Sequence, residues 1–225
     1  MLVKNWMSKP AITIDGDASI VNAIKLLKRH GINLLPVKQN DQLAGIVTRG
    51  DIFKSSAAGI DPFQRDDLFD LIWHVRVKSI MTKSPITIQP DNTVEEATEK
   101  LFMYHVSGLP VVNRQEGVLG VVTKSDIFRL ILFLGGGGKK GTQIALELED
   151  RPGCLKEITE TIRDYGGRIS SILSTPEQAA KGNRRVYIRI YDIDRPGLER
   201  VIEILKERAA LIYVINHEEK TREIF

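Results

Sequence analysis

The sequence predicts an α+β protein in two parts: a duplicated β-α-β-β-α unit, then a single β-α-β-β-α-β domain. Three observations carry this expectation. A block starting at Val3 recurs from Val77 in a 74-residue register. Within each copy the apolar spacing switches between strand and helix periods. After Leu134 a glycine run opens a stretch with its own, different alternation.

The repeat is long and ordered. V-K-N-W-M-S-K-P-A-I-T-I from Val3 matches V-K-S-I-M-T-K-S-P-I-T-I from Val77, and agreement continues through Asp17/Asp91, Ala23/Ala97 and Leu27/Leu101. L-P-V follows at Leu35 and Leu109; after one inserted residue, G-I-V-T-R-G-D-I-F from Gly45 meets G-V-V-T-K-S-D-I-F from Gly120. Ile12-Thr13-Ile14 reads as a short β-branched strand. Ile20, Ala23, Ile24 and Leu27 lie on one helix face, which Gly31 ends. Thr93 and Glu96 make a capping-box start for the equivalent helix. Strands follow around Leu35–Val37 and Leu43–Val47, joined by the polar turn Gln39–Gln42, and a second helix starts near Thr48. We read repeat 1 as residues 1–54, a helical insertion as 55–76 and repeat 2 as 77–134. In the insertion Asp61-Pro62 suits a helix start, and Leu68, Leu71, Ile72 and Val75 keep helical spacing, with Trp73 packed on a repeat or a second subunit.

The chemistry of this half lies where a strand meets a helix, at Thr48-Arg49-Gly50-Asp51 and Thr123-Lys124-Ser125-Asp126. Exposed N–H groups there favour a phosphate, a threonine hydroxyl can bond phosphate or ribose, and an aspartate can accept from ribose hydroxyls. Arg49 and Lys124 stand beside as phosphate partners. A Thr-x-x-Asp before an apolar run is equally an N-terminal cap that needs no ligand. The residues alone leave both readings open.

The whole block, from K-x-x-M through I-T-I, L-P-V and G-h-h-T-x-x-D, resembles a CBS domain, and its duplication resembles a CBS pair. The resemblance implies two clefts for adenosine-containing ligands (AMP, ADP, ATP or S-adenosylmethionine), with Thr48, Asp51, Thr123 and Asp126 on ribose and phosphate. By position it implies adenine against Ala11, Ile12, Asn33 and Leu34 in one cleft, and Pro85, Ile86, Ser107 and Gly108 in the other. Ser125 replaces Gly50 and Gly108 replaces Leu34 between copies, so unequal affinities are expected.

Residues 135–141 form a glycine-rich linker. Gly136-x-Gly138-x-x-Gly141 matches a dinucleotide fingerprint only formally, because it follows a helix and precedes a strand. Over 142–217, Ile144/Leu146/Leu148 alternate as a strand, and Leu155/Ile158/Ile162 make a helix face closed by Gly166-Gly167. A strand spans Ile169–Leu173, Val186/Ile188/Ile190 alternate again, Leu198/Val201/Ile202/Leu205 form a second helix face, and Leu211–Ile215 a last strand. That order is the ferredoxin-like layout. Residues 218–225 read as a charged tail. Asp150-Arg151-Pro152-Gly153 and Asp194-Arg195-Pro196-Gly197 stand at equivalent strand-to-helix turns, where Asp can cap and Pro suits the first turn. The first of them, in E-L-E-D-R-P-G-C-L-K-E-I, together with the element order resembles an ACT domain. This implies amino-acid binding by Asp150, Arg151, Pro152, Gly153, Cys154 and Leu155, or dimerisation alone.

A CBS pair followed by an ACT domain resembles the acetoin-utilisation protein B-like family. The resemblance implies a homodimeric regulator without catalysis, whose nucleotide ligand biases an unidentified regulated protein. With 225 residues, a net charge of +3 and scattered basic residues, nucleic acid is not the expected partner. One cysteine, no signal-peptide pattern and no long apolar run point to a cytoplasmic protein without a membrane span. His30, His74, His105 and His217 have no metal-ligand spacing, no nucleophile motif is present, and neither metal, cofactor nor catalytic residue is expected. The competing readings are a dimerising scaffold with vestigial sites, an enzyme acting on adenosine compounds, and a DNA-associated regulator.

Overall fold

The computed structural model describes residues 1–55, 62–64, 72–115, 117–137 and 141–225. Two units divide the chain, Met1–Phe128 and Arg129–Phe225.

In the first unit, strand β1 (Ile14–Asp15) leads to helix α1 (Ile20–His30). The Ser19 hydroxyl caps α1 by accepting from the Asn22 N–H, and Gly31 ends it at φ 61°. Ile20, Ala23, Ile24 and Leu27 are buried, as their spacing requires. Strands β2 (Leu34–Gln39) and β3 (Gln42–Thr48) then form a hairpin. Its turn residues Asn40 and Asp41 have φ 51° and 62°, the double positive φ that matches a two-residue hairpin to strand twist. Helix α2 (Arg49–Ser55) buries Ile52 in the first repeat's core beside Ile14, Ile24, Leu35 and Val47.

The second repeat opens on helix α3 (Val77–Ile80) and strand β4 (Thr82–Lys83). Helix α4 (Val94–Met103) starts with the expected capping box between Thr93 and Glu96. Strands β5 (Gly108–Val112) and β6 (Val118–Thr123) pair antiparallel, and helix α5 (Lys124–Leu134) follows. The I-T-I strands are shorter than expected. The first keeps only Ile14–Asp15 beside β2, and the second is a single parallel bridge between Ile88 and Val111.

The repeats exchange their leading segments. β4, from the start of repeat 2, pairs with β3 of repeat 1 through Thr82↔Ile46 and Lys83↔Gly45. Reciprocally, Ser8 bridges Val121 of β6. The Val77 and Lys78 N–H groups donate to Ala18 and Gly16 carbonyls, both at 2.9 Å. Seventy-four residues earlier, Val3 and Lys4 donate to Asn92 and Pro90 at 2.9 and 3.0 Å. Ion pairs Lys78–Asp17 and Lys4–Asp91 repeat the exchange at the surface. Gly45 and Gly120 permit it: a Cβ at Gly45 would lie 2.6 Å from the Thr82 carbonyl oxygen, and one at Gly120 2.6 Å from that of Ser8. The matching K-x-x-M segments are therefore the arms that join the repeats into one unit.

Of the insertion, the proposed start at Asp61 and the positions Leu68 and Leu71 lie outside the described residues. Phe63 is buried in the first repeat's core, and Ile72 and Val75 pack against it. Trp73 is about half exposed, with the Lys25 ammonium 5.9 Å from its ring centre.

The second unit carries strand β7 (Thr142–Glu149), helix α6 (Cys154–Asp164), strands β8 (Arg168–Thr175) and β9 (Asn183–Tyr191), helix α7 (Arg195–Arg208) and strand β10 (Ala210–Asn216). This is the expected βαββαβ order. A further strand, β11 (Thr221–Ile224), pairs with β10, so the sheet runs β11-β10-β7-β9-β8. The segment read as a charged tail thus holds a strand. All four of its residues are exposed, so no buried face marks it in the sequence. The helices cover one sheet face, burying Ile144, Leu146, Val186, Ile188 and Ile190 against Ile158, Ile162, Val201 and Leu205.

Candidate functional site

Each Thr-x-x-Asp sits where a buried strand of the first unit gives way to a helix. In repeat 1 the Asp51 Oδ2 accepts from the Thr48 N–H at 2.9 Å and the Thr48 hydroxyl at 2.7 Å, while the Asp51 N–H donates to Thr48 Oγ1 at 3.2 Å. In repeat 2 the corresponding distances for Thr123 and Asp126 are 2.8, 2.7 and 3.4 Å. This is a reciprocal cap, so the capping role read from the sequence is real. It engages one carboxylate oxygen and so fixes where the other points.

The strands bring further candidate residues to each pair. Leu34 lies opposite Thr48 across the β2–β3 hairpin, and Gly108 opposite Thr123 across β5–β6. The Arg49 N–H donates to the Asn33 carbonyl at 3.2 Å, and the Lys124 N–H to that of Ser107 at 3.1 Å. Asn33, Leu34, Thr48, Arg49 and Asp51 therefore form one constellation, and Ser107, Gly108, Thr123, Lys124 and Asp126 its counterpart. Ala11 packs against Leu34, Ile46 and Val121, while Ile12 packs into the first repeat's core. Pro85 lines a cavity of about 280 Å³ with Leu43, Ala44, Ser84, Thr87 and Val112, at the strand ends away from Thr48. Ile86 follows it, partly buried. The Arg49 guanidinium stacks 4.5 Å from the Phe63 ring centre, a contact that the insertion supplies and the repeat pattern does not reveal.

In the second unit Asp150, Arg151, Pro152, Gly153, Cys154 and Leu155 line a common groove of about 510 Å³. Lys156 and Arg184 complete it. Arg184 comes from β9 and approaches Asp150 at 3.5 Å, which no local motif signals. The two D-R-P-G turns differ in use. Asp194 caps α7, its Oδ1 accepting from the Gly197 N–H at 2.8 Å. At the first turn Gly153 takes the cap position at φ 89° without a side-chain bond, so Asp150 does not cap. Arg151 pairs with Glu157 at 2.7 Å, which holds the Glu157 carboxyl below the usual range. Cys154 is buried at the start of α6.

Among the described residues no group of acidic, histidine and cysteine side chains is arranged to hold a metal ion. No described helix is long and apolar enough to cross a membrane.

A repeated strand-to-helix Thr–Asp cap, with the repeats joined by exchanged arms, defines a tandem two-repeat module followed by a separate α/β-sandwich domain. The CBS-domain family model matches residues 3–58 and 77–133, and the ACT-domain model residues 142–210. The chain belongs to the CBS-domain family and carries an ACT domain after its CBS pair. It is 35% identical over 133 residues to a CBS domain-containing protein of Dictyostelium discoideum, covering 59% of this chain and 92% of that one. It is 38% identical over 140 residues to an L-aspartate semialdehyde sulfurtransferase of Methanocaldococcus jannaschii, covering 62% of this chain. That match takes in only 24% of the sulfurtransferase's length. Among solved structures, protein MJ1225 of Methanocaldococcus jannaschii shares the fold, with a TM-score of 0.51 at 24% identity, over 59% of this chain and 50% of that one.

Proposed function

We propose that this chain is a non-catalytic regulatory sensor whose CBS pair binds an adenosine-containing ligand: AMP, ADP, ATP or S-adenosylmethionine. The observation that carries the reading is the doubled Thr–Asp constellation, repeated with nearly the same hydrogen-bond distances in both copies. The carboxylates of Asp51 and Asp126, each held in place by its threonine, are the acceptors for ribose hydroxyls. The extended segments at Ala11–Ile12 with Asn33–Leu34, and Pro85–Ile86 with Ser107–Gly108, flank the base. Lys124, and Arg49 from its place on Phe63, face the phosphates.

Binding then shifts the packing of the two arm-exchanged repeats, because a ligand favours whichever arrangement it binds more tightly. A regulated protein reads that shift. The ACT domain adds a second input, an amino acid in the groove of Asp150–Leu155, with Arg184 as partner for its carboxylate. The protein acts as a cytoplasmic homodimer. Exposed Phe102 and Met103 on α4 supply apolar surface for a second subunit.

Thermal melting with each of the four adenosine compounds at millimolar concentration tests the reading. At least one raises the melting temperature, and the Asp51→Ala/Asp126→Ala double variant abolishes the rise. Absence of stabilisation by all four, or an equal rise in the double variant, overturns it.

A further inference from the structure

We infer that the two CBS clefts fill in order, the Thr48/Asp51 cleft first, and that Leu34 is the residue that makes them unequal. This rests on the reading that both clefts take adenosine ligands, and it assigns their order and its cause.

The backbone does not distinguish the clefts. Their caps agree within about 0.2 Å, and so do the Arg49–Asn33 and Lys124–Ser107 bonds beside them. The difference lies in one side chain. Leu34 and Gly108 occupy equivalent positions, each opposite the threonine of its own repeat. Leu34 is 6% exposed and packs with Ile46 of its own repeat and Val121 of the other. Its Cδ1 lies 3.5 Å from the point where a side chain at Gly108 would begin, and that same point is 3.2 Å from Thr123 Cγ2. Leu34 therefore crosses the contact between the repeats and fills space beside Thr123. The reverse crossing does not exist, because Gly108 has nothing to extend toward Thr48.

The acids report the same asymmetry independently. Asp126 is 2% exposed, whereas Asp51 is only partly buried. Asp51 keeps a solvent-accessible part that Asp126 lacks, so a ribose meets less cover there. At Asp126 the buried carboxylate must first be uncovered. We assign that cover to Leu34, whose Cδ1 lies close to the Gly108 position beside Thr123, and drawing it out of its apolar cluster lowers the affinity there. Full exposure of a leucine side chain corresponds to roughly tenfold to a hundredfold, so its partial exposure corresponds to a weakening of about threefold to tenfold.

The test is calorimetric titration of AMP, ATP and S-adenosylmethionine, each in turn, into the full chain and its variants. The wild type is expected to show a tight step and a weaker one, or the tight step alone. Asp51→Ala removes the tight step, and Asp126→Ala removes the weaker. Leu34→Ala, with Leu34→Val as the milder substitution that keeps apolar packing, strengthens the weaker step toward the tight one. Two equal sites in the wild type, loss of the tight step in Asp126→Ala, or a weaker step of unchanged or lower affinity in a folded Leu34 variant overturns this inference alone. Absence of binding by all three compounds instead overturns the adenosine reading, and the order of filling with it.

Discussion

Alanine at Gly45 or Gly120 strikes the contact that joins the two repeats. At Gly45 the new Cβ would stand 2.6 Å from the Thr82 carbonyl oxygen and 2.8 Å from Met81 Sδ. At Gly120 it would stand 2.6 Å from the Ser8 carbonyl oxygen and 2.8 Å from Met7 Sδ. A methionine tip can swing aside. The carbonyl oxygens cannot, because Thr82 is held in register against Ile46 and Ser8 against Val121. Relief therefore means parting an exchanged arm from its strand. Overpacking against fixed atoms costs about 2–3 kcal/mol, the upper part of the usual range. For a unit of 128 residues this lowers the melting temperature by roughly 8–12 °C. Urea unfolding should show a lower midpoint with an unchanged slope. The two variants should lose similar amounts, since the two contacts are copies of one another, and Met81→Ala should not rescue Gly45→Ala. Melting within about 2 °C of wild type for either variant would refute the argument that the exchanged arms are tightly seated.

Other expectations follow from the same geometry. Asp194→Ala removes the cap of α7 and should cost about 1 kcal/mol by urea unfolding. Asp150→Ala, which removes no cap, should leave stability nearly unchanged while weakening any amino acid bound in its groove, read by titration. Ile188→Ala, fully buried between sheet and helices, should destabilise the second unit by about 2–5 kcal/mol without altering nucleotide binding. Glu147 accepts from the Ala180 N–H at 2.9 Å, from Asn183 Nδ2 at 3.1 Å and from Arg185 Nε at 3.3 Å, and these bonds hold its carboxyl below its ordinary 4.5. A carboxyl lowered on folding stabilises fully above that ordinary value and loses its effect as pH falls through the lower folded one. Melting of Glu147→Gln and wild type should therefore differ near neutral pH and converge in acid; a constant difference across that range would contradict the assignment.

Much of this architecture is legible in the sequence because local signals and burial agree. The α1 face, the Gly31 stop, the Thr93/Glu96 box and the alternation of β7 and β9 each reflect one element meeting one core. The arm exchange was present as matching residues, but its meaning was not. Similarity 74 residues apart says that two segments are alike, not that each docks on the other copy. β11 escaped because an edge strand exposed on every residue has no periodicity to read. Thr48/Asp51 and Thr123/Asp126 were legible as pairs, and their capping geometry matches the bland reading as well as the functional one. Arg184 beside Asp150, Phe63 under Arg49, and Leu34 reaching toward Thr123 all depend on contacts between distant segments. Sequence spacing carries no record of those.

The central claim is that the paired Thr–Asp constellations hold an adenosine compound. Native mass spectrometry of the intact chain incubated with AMP, ADP, ATP or S-adenosylmethionine tests it most directly. The account predicts a species heavier by the mass of one or two ligands for at least one compound, lost in Asp51→Ala/Asp126→Ala. The wild-type chain at its own mass with all four, or the same adduct in the double variant, would contradict it.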